Sequence, residues 1–152
     1  MKCHFTVPGK AVPQGRPRAT IIRGRAHVYD PPRSRAYKRH VAECVLEQSR
    51  AGAPHLSGPI GVRIMEYRRC PSKWKKQEQE RAYAGEILPV EPADLDNIMK
   101  GVLDGITKAG IWEDDAQVVD ISASKFYGRE PRIEIDIEEL RRNAQGEWRG
   151  CS

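Results

Sequence analysis

The sequence predicts an α+β fold, a small mixed or antiparallel sheet packed with two to three helices, and three observations carry that expectation. Strand-like segments come in neighbouring pairs more often than in β-α-β alternation. One segment has an unmistakable helical period: Leu95, Ile98, Met99, Val102, Leu103 and Ile106 recur at i, i+3, i+4, i+7, i+8 and i+11. A third, Arg132 to Glu138, alternates strictly, with Ile133, Ile135 and Ile137 on one side.

Cys3, Phe5 and Val7 alternate with polar neighbours and predict a first strand. Pro8 to Pro17 reads as a loop, and Ala19–Ile22 and Ala26–Tyr29 flank Arg23-Gly24-Arg25 as a hairpin. Ser34 is placed to cap a helix running to about Arg50, with Tyr37, Val41, Cys44 and Val45 on its apolar face. Pro59 opens a strand over Ile60 to Arg68, with Ile60, Val62, Ile64 and Glu66 on one side. Ser72 to Ala84 reads as a polar helix anchored by Trp74, and residues 85 to 93 as a loop punctuated by Gly85, Pro89 and Pro92. The periodic helix begins near Asp94 and closes at Gly110. Gln117 to Tyr127 is the next strand. Residues 1–140 are expected to form one domain, with 141–152 as a polar, flexible tail.

Length, composition and charge narrow the function. The 152 residues suit one domain with a real core, and no apolar run is long enough to span a membrane. Four cysteines, far apart and without a C-x-x-C pair, suggest neither zinc nor a disulfide framework, and fit a reducing, cytoplasmic setting. The net charge of +5 is uneven: residues 1–50 hold eleven Lys and Arg against three acids, a net +8, so the rest of the chain sums to −3. A basic half beside an acidic half suggests a phosphate-binding surface next to a metal-binding patch.

Both are visible as residues. Asp94, Asp96, Asp114 and Asp115 stand at the two ends of the periodic helix, with Lys100 one turn after Asp96. Singly, each acid has a structural explanation, as a helix cap or a turn residue. Gathered, they would repel unless a hard cation held them, and Mg²⁺ needs only two or three carboxylates because it keeps its waters. Such a metal polarises a phosphodiester and activates water to attack it, and Lys100 would offset charge building on the phosphate. Asp115 joins Asp94 and Asp96 only if the following strand runs back along the helix. For the polyanion, Lys10, Arg16, Arg18, Arg23 and Arg25 form a basic N-terminal segment, and Lys73 and Lys76 beside Trp74 could extend it. The four histidines show no metal-ligand spacing.

Three stretches together, Asp94-Leu95-Asp96-Asn97-Ile98-Met99-Lys100, Leu103-Asp104-Gly105 and Trp112-Glu113-Asp114-Asp115-Ala116-Gln117-Val118-Val119, resemble the signature of the RusA family of Holliday-junction resolvases. Phe5-x-Val7-x-Gly9 and Gly15-Arg16-Pro17-Arg18 fit that family's opening strand and basic loop. The resemblance implies a RusA-like fold and a homodimeric endodeoxyribonuclease of recombination and repair. Such an enzyme binds four-way DNA junctions and makes paired, symmetric nicks. It implies Asp94, Asp96 and Asp115 as ligands for Mg²⁺, with Mn²⁺ as a substitute, Lys100 as the catalytic lysine, no organic cofactor, and a bacterial or phage-infected host cell. Readings that keep some of these features are a flap or fork nuclease of the same chemistry and a non-catalytic DNA-binding accessory protein.

Overall fold

In the computed structural model, which describes residues 1–49, 52–92 and 94–150, the isoleucine-rich strand at the C-terminal side organises the whole chain. That strand, β6 (Arg132–Arg142), pairs antiparallel on one side with β1 (Lys2–Pro8) and on the other with β4 (Ile60–Arg68). β5 (Val118–Tyr127) adds parallel to β4, giving the order β1-β6-β4-β5. The sheet is therefore mixed, as the α+β expectation allowed. A separate two-stranded ribbon, β2 (Arg18–Ile22) with β3 (Arg25–Tyr29), pairs with no other strand among the described residues.

Two helices cover one face of the sheet. α1 (Pro32–Gln48) and α3 (Leu95–Ala109) pack on each other and over Ile60, Ile64, Ile133, Ile135 and Ile137. The period of α3 puts Ile98, Val102 and Ile106 fully inside. Gly105 lets the two helices close up: a Cβ there would lie 2.6 Å from Val41 Cβ and 3.0 Å from Lys38 O. Gly110 ends the helix in the left-handed region, φ +79°, where a side chain would be strained. The third helix, α2 (Lys76–Tyr83), sits apart on a small cluster of Cys70, Ala82 and Tyr127, with Trp74 packed edge-on to Tyr127 at 5.4 Å.

Several boundaries differ from the sequence expectation, each for a physical reason. Helix α1 starts at Pro32, because Pro at the first turn lacks the N–H that would be orphaned there. Ser34 is buried, and its Oγ accepts the Gly15 N–H at 2.9 Å instead of capping, which ties the N-terminal loop to the helix. The end expected near Arg50 falls at Gln48, and Arg50 itself lies outside the described residues. α2 begins four residues later than Ser72, since Pro71 opens a turn closed by the Trp74 N–H. The polar tail is not frayed through residue 150: β6 continues to Arg142, turns at Asn143, and returns as β7 (Trp148–Gly150).

Candidate active site and nucleic-acid surface

The N-terminus of α3 presents Asp94, Asp96 and Lys100 to solvent. Asp94 occupies the cap position with extended backbone (φ −69°, ψ 131°), yet its side chain makes no cap hydrogen bond. Neither carboxylate accepts a hydrogen bond from the described protein groups. The capping explanation for Asp94 thus loses its support, and both carboxylates are left with free oxygen lone pairs beside the positive end of a helix dipole.

The basic loop is fastened to that same turn. The Gln14 N–H donates to Asn97 O at 3.0 Å, and Gln14 is buried, with its Nε2 donating to Gly15 O and Asp30 Oδ1. This anchor fastens the loop that carries Arg16 and Arg18, both exposed, to the first turn of α3. Arg18 also begins the ribbon. Cross-strand pairing puts Arg18, Thr20, Ile22, Arg25, His27 and Tyr29 on one face and Ala19, Ile21, Ala26 and Val28 on the other. Every ribbon residue is exposed, Ile21 at 77% and Val28 at 73%, so the ribbon stands free of the core. Arg23 holds its tip at φ +50°. Lys10 lines a cavity of about 460 Å³ with Arg33, Arg69 and the buried pair Glu66 and Arg68. Lys73 and Lys76 are exposed beside Trp74, whose ring is packed against the protein.

At the other end of α3 lie Asp114 and Asp115. Trp112, 1% exposed, donates from Nε1 to Thr107 Oγ1 at 2.7 Å. Gln117 donates to Leu56 O and Gly58 O and accepts from the Glu113 and Asp114 N–H groups. The Trp and Gln of the motif therefore position the acids rather than carry chemistry. Asp114 caps a 3₁₀ turn, Asp115–Gln117, by accepting the Ala116 N–H at 2.8 Å. That bond, with a second from the Asp115 carboxyl, holds Asp114 below the ordinary carboxylate range. Asp115 is pushed up, first by its hydrogen bond to Asp114, then by partial burial and the charges of Asp114 and Asp104. Asp114 is thus engaged as a cap, and Asp115 is hydrogen-bonded to it.

One chain does not gather the full set. The fifteen residues of α3 separate its ends by about 20 Å. Asp115 faces Lys38, Asp104, Thr107 and Lys108, away from Asp94 and Asp96. Among the described residues no three His, Cys, Asp or Glu side chains stand close enough to hold a metal. Sequence reasoning also missed the groups between the two ends. Lys38 of α1 bridges Asp30 (2.6 Å) and Asp104 (2.9 Å), and Asp30 is held low chiefly by that hydrogen bond. No local pattern signals a contact between helices so far apart in the chain.

The fold, the exposed acidic helix end and the basic loop define a nucleic-acid-directed α+β domain, and comparison with known proteins makes the class specific. The family model for endodeoxyribonuclease RusA matches residues 8–138. The uncharacterized protein YqaN of Bacillus subtilis (strain 168) is 41% identical over 138 residues, 90% of this chain and 95% of the relative. Crossover junction endodeoxyribonuclease RusA of Escherichia coli (strain K12) is 48% identical over 48 residues, 31% of this chain and 40% of that enzyme. The RusA of Enterobacteria phage 82 aligns to the same extent. The chain belongs to the RusA family.

Proposed function

We propose that the protein is a divalent-metal-dependent endonuclease that resolves four-way DNA junctions by paired nicks, acting as a homodimer. Family membership supports the reaction class, and one contact carries the assignment of the site: the Gln14–Asn97 backbone hydrogen bond, which sets a basic loop beside two unengaged carboxylates. Arg16, Arg18, Arg23, Arg25 and Lys10 then hold the phosphate backbone, with Lys73 and Lys76 as outer contacts, and none of them needs to read a base. A freestanding two-stranded ribbon is narrow enough for a major groove, so its polar face extends the same grip.

The donor set fits a hard cation in part. Asp94 and Asp96 offer free oxygen atoms of the kind Mg²⁺ and Mn²⁺ prefer, while Asp115, the third ligand, is at the far end of α3 in the same chain. When bound, the metal supplies charge neutralisation at the phosphodiester and a water of lowered pKa. Lys100, exposed one turn from Asp96, adds a positive charge where the pentavalent phosphate forms. The test is a competition among synthetic substrates in Mg²⁺. Symmetric nicks in the four-way junction, ahead of flap, fork and linear duplex, are expected. Preference for flaps or forks would replace the substrate class, and tight binding without cutting in either Mg²⁺ or Mn²⁺ would refute the enzyme reading.

A further inference from the structure

We propose that the free two-stranded ribbon, β2 with β3, is a branch-point wedge. Its apolar face, Ala19, Ile21, Ala26 and Val28, covers base pairs opened at the centre of a four-way junction, while the opposite face holds the phosphates of one arm. The proposal rests on the resolvase reading above and adds to it a contact that linear DNA cannot make.

Three observations lead to it. The first is the apolar face itself. Across the ribbon Ala19 pairs with Val28 and Ile21 with Ala26, so the four side chains form one continuous patch. None of them belongs to either hydrophobic cluster of the domain, and Ile21 and Val28 are about three-quarters exposed. Scattered apolar residues on a surface are ordinary, but a contiguous patch on an arm that adds nothing to the core marks a contact surface. The second observation is charge. Residues 1–29 hold no Asp or Glu, and the ribbon and its approach carry Arg16, Arg18, Arg23 and Arg25. A second copy of the chain would bring the same four arginines against them. Nucleic acid offers what both faces want, a phosphate flank and, wherever pairs are opened, the apolar faces of bases.

The third observation is how the ribbon is mounted. Gln14 Nε2 donates to Gly15 O at 2.9 Å and to Asp30 Oδ1 at 3.3 Å, which joins the two roots of the ribbon. Ser34 Oγ accepts the Gly15 N–H, and Lys38 Nζ donates to Asp30 Oδ2 at 2.6 Å, so both roots are also tied to α1. The ribbon is thus an arm with a fixed base, about 17 Å long for five residues per strand. The Gln14 N–H to Asn97 O bond fastens that base to the first turn of α3. A wedge mounted in this way sets the branch point at a constant offset from Asp94 and Asp96. On a linear duplex the arginine-bearing face is satisfied and the apolar face stays in water. At a junction the ribbon lies between arms, and both faces are used. Isoleucine is among the side chains that wedge opened base steps, where new contacts offset the cost of unstacking.

The experiment uses the full chain in EDTA, so that nothing is cut. A synthetic four-way junction carries 2-aminopurine in a pair flanking the branch point, and a linear duplex carries it in the same sequence. Wild type should brighten the junction probe and leave the duplex probe dark, because 2-aminopurine fluoresces when it leaves the base stack. Val28→Thr and Ile21→Thr keep a β-branched side chain at an exposed position, so each should retain the wild-type circular dichroism spectrum. Each should lose the brightening and bind the junction about tenfold more weakly by anisotropy, with duplex binding changed by less than about twofold. A wild type that leaves the junction probe dark, whether or not it binds, would overturn the wedge. So would threonine variants that bind the junction as wild type does. Equal losses on junction and duplex would also overturn it, placing the face in a groove against thymine methyl groups. A smaller sedimenting species for Val28→Thr than for wild type would overturn it by assigning the face to a contact between copies. Metal-free binding is independent of cutting. A wild type that brightens the probe but cuts no junction in Mg²⁺ or Mn²⁺ would refute the resolvase reading alone, and one that cuts while the probe stays dark would refute the wedge alone.

Discussion

Replacing Gly105 with alanine tests the packing that sets the site. The new Cβ would lie 2.6 Å from Val41 Cβ, 2.7 Å from Val41 Cγ1 and 3.0 Å from Lys38 O. Carbon atoms prefer about 3.5–4.0 Å, so α1 and α3 must separate by about 1 Å. Val41 Cβ and Lys38 O are fixed to the backbone, so no rotamer change relieves the clash. A clash with backbone-fixed atoms falls in the upper part of the overpacking range, about 2–3 kcal/mol, and the better helix propensity of Ala returns about 1 kcal/mol. The net loss is about 1–2 kcal/mol, or about 2–8 °C in Tm for a chain of this size. Gly101 lies one turn earlier on the same buried face, but a Cβ there meets only Val12 O at 3.8 Å and Tyr37 Cδ1 at 3.9 Å. Gly101→Ala should therefore leave stability unchanged or raise it by up to about 1 kcal/mol. Urea unfolding followed by circular dichroism reads both variants. A Gly105→Ala protein as stable as wild type, or a Gly101→Ala protein that falls with it, would refute the reasoning.

Other parts of the structure give equally direct expectations. Arg68, 9% exposed, donates from Nε to both carboxylate oxygens of Glu66, itself 3% exposed. Glu66→Gln should cost about 3–5 kcal/mol in urea unfolding by stranding a buried charge, and a Glu66→Leu, Arg68→Met double variant should recover most of it. Lys38→Met should cost on the order of 1 kcal/mol at neutral pH, since it leaves Asp30 and Asp104 without their shared cation. Asp30 is depressed below its ordinary 3.8, so its contribution is complete above that value and is lost as pH falls through the lower folded value. Burial pulls Lys38 down, but its two carboxylate partners outweigh that and raise it above 10.5, so its contribution is lost only as pH rises past the raised value. The gap between wild type and Lys38→Met should accordingly be flat across neutral pH and close at both extremes. Arg16→Ala and Arg18→Ala should each weaken junction binding and lower its log–log salt slope by about 1, measured by fluorescence anisotropy, and an unchanged slope would remove that residue from the phosphate contacts.

What was legible in the sequence was whatever has a local cause. The period of Leu95 to Ile106 named α3 and its buried face, and Gly110 marked its end. The bounds of β4 followed from Pro59 and the alternation after it. The alternation of Ile133, Ile135 and Ile137 gave a buried strand, but nothing local says that it lies between β1 and β4, because partner choice is a tertiary matter. Ser34 looked like a cap and proved to be a tether, since the chain supplied a better use for its hydroxyl in the Gly15 N–H. Asp94, Asp96 and Lys100 could be singled out from spacing, whereas the distance to Asp115 depends on where β5 starts. The return of the strand along the helix is real, but it carries the chain away from Asp115 toward Glu91, so the two acid groups remain at opposite ends of α3.

The most direct test of the central claim compares wild type with Asp96→Asn on one synthetic four-way junction, with cleavage and binding measured side by side in Mg²⁺. Asp96 is exposed and makes no hydrogen bond to the described residues, so the variant should fold and bind as wild type does, while cutting falls by at least about a hundredfold. Unchanged cutting by Asp96→Asn would remove the α3 carboxylates from the chemistry and contradict the account.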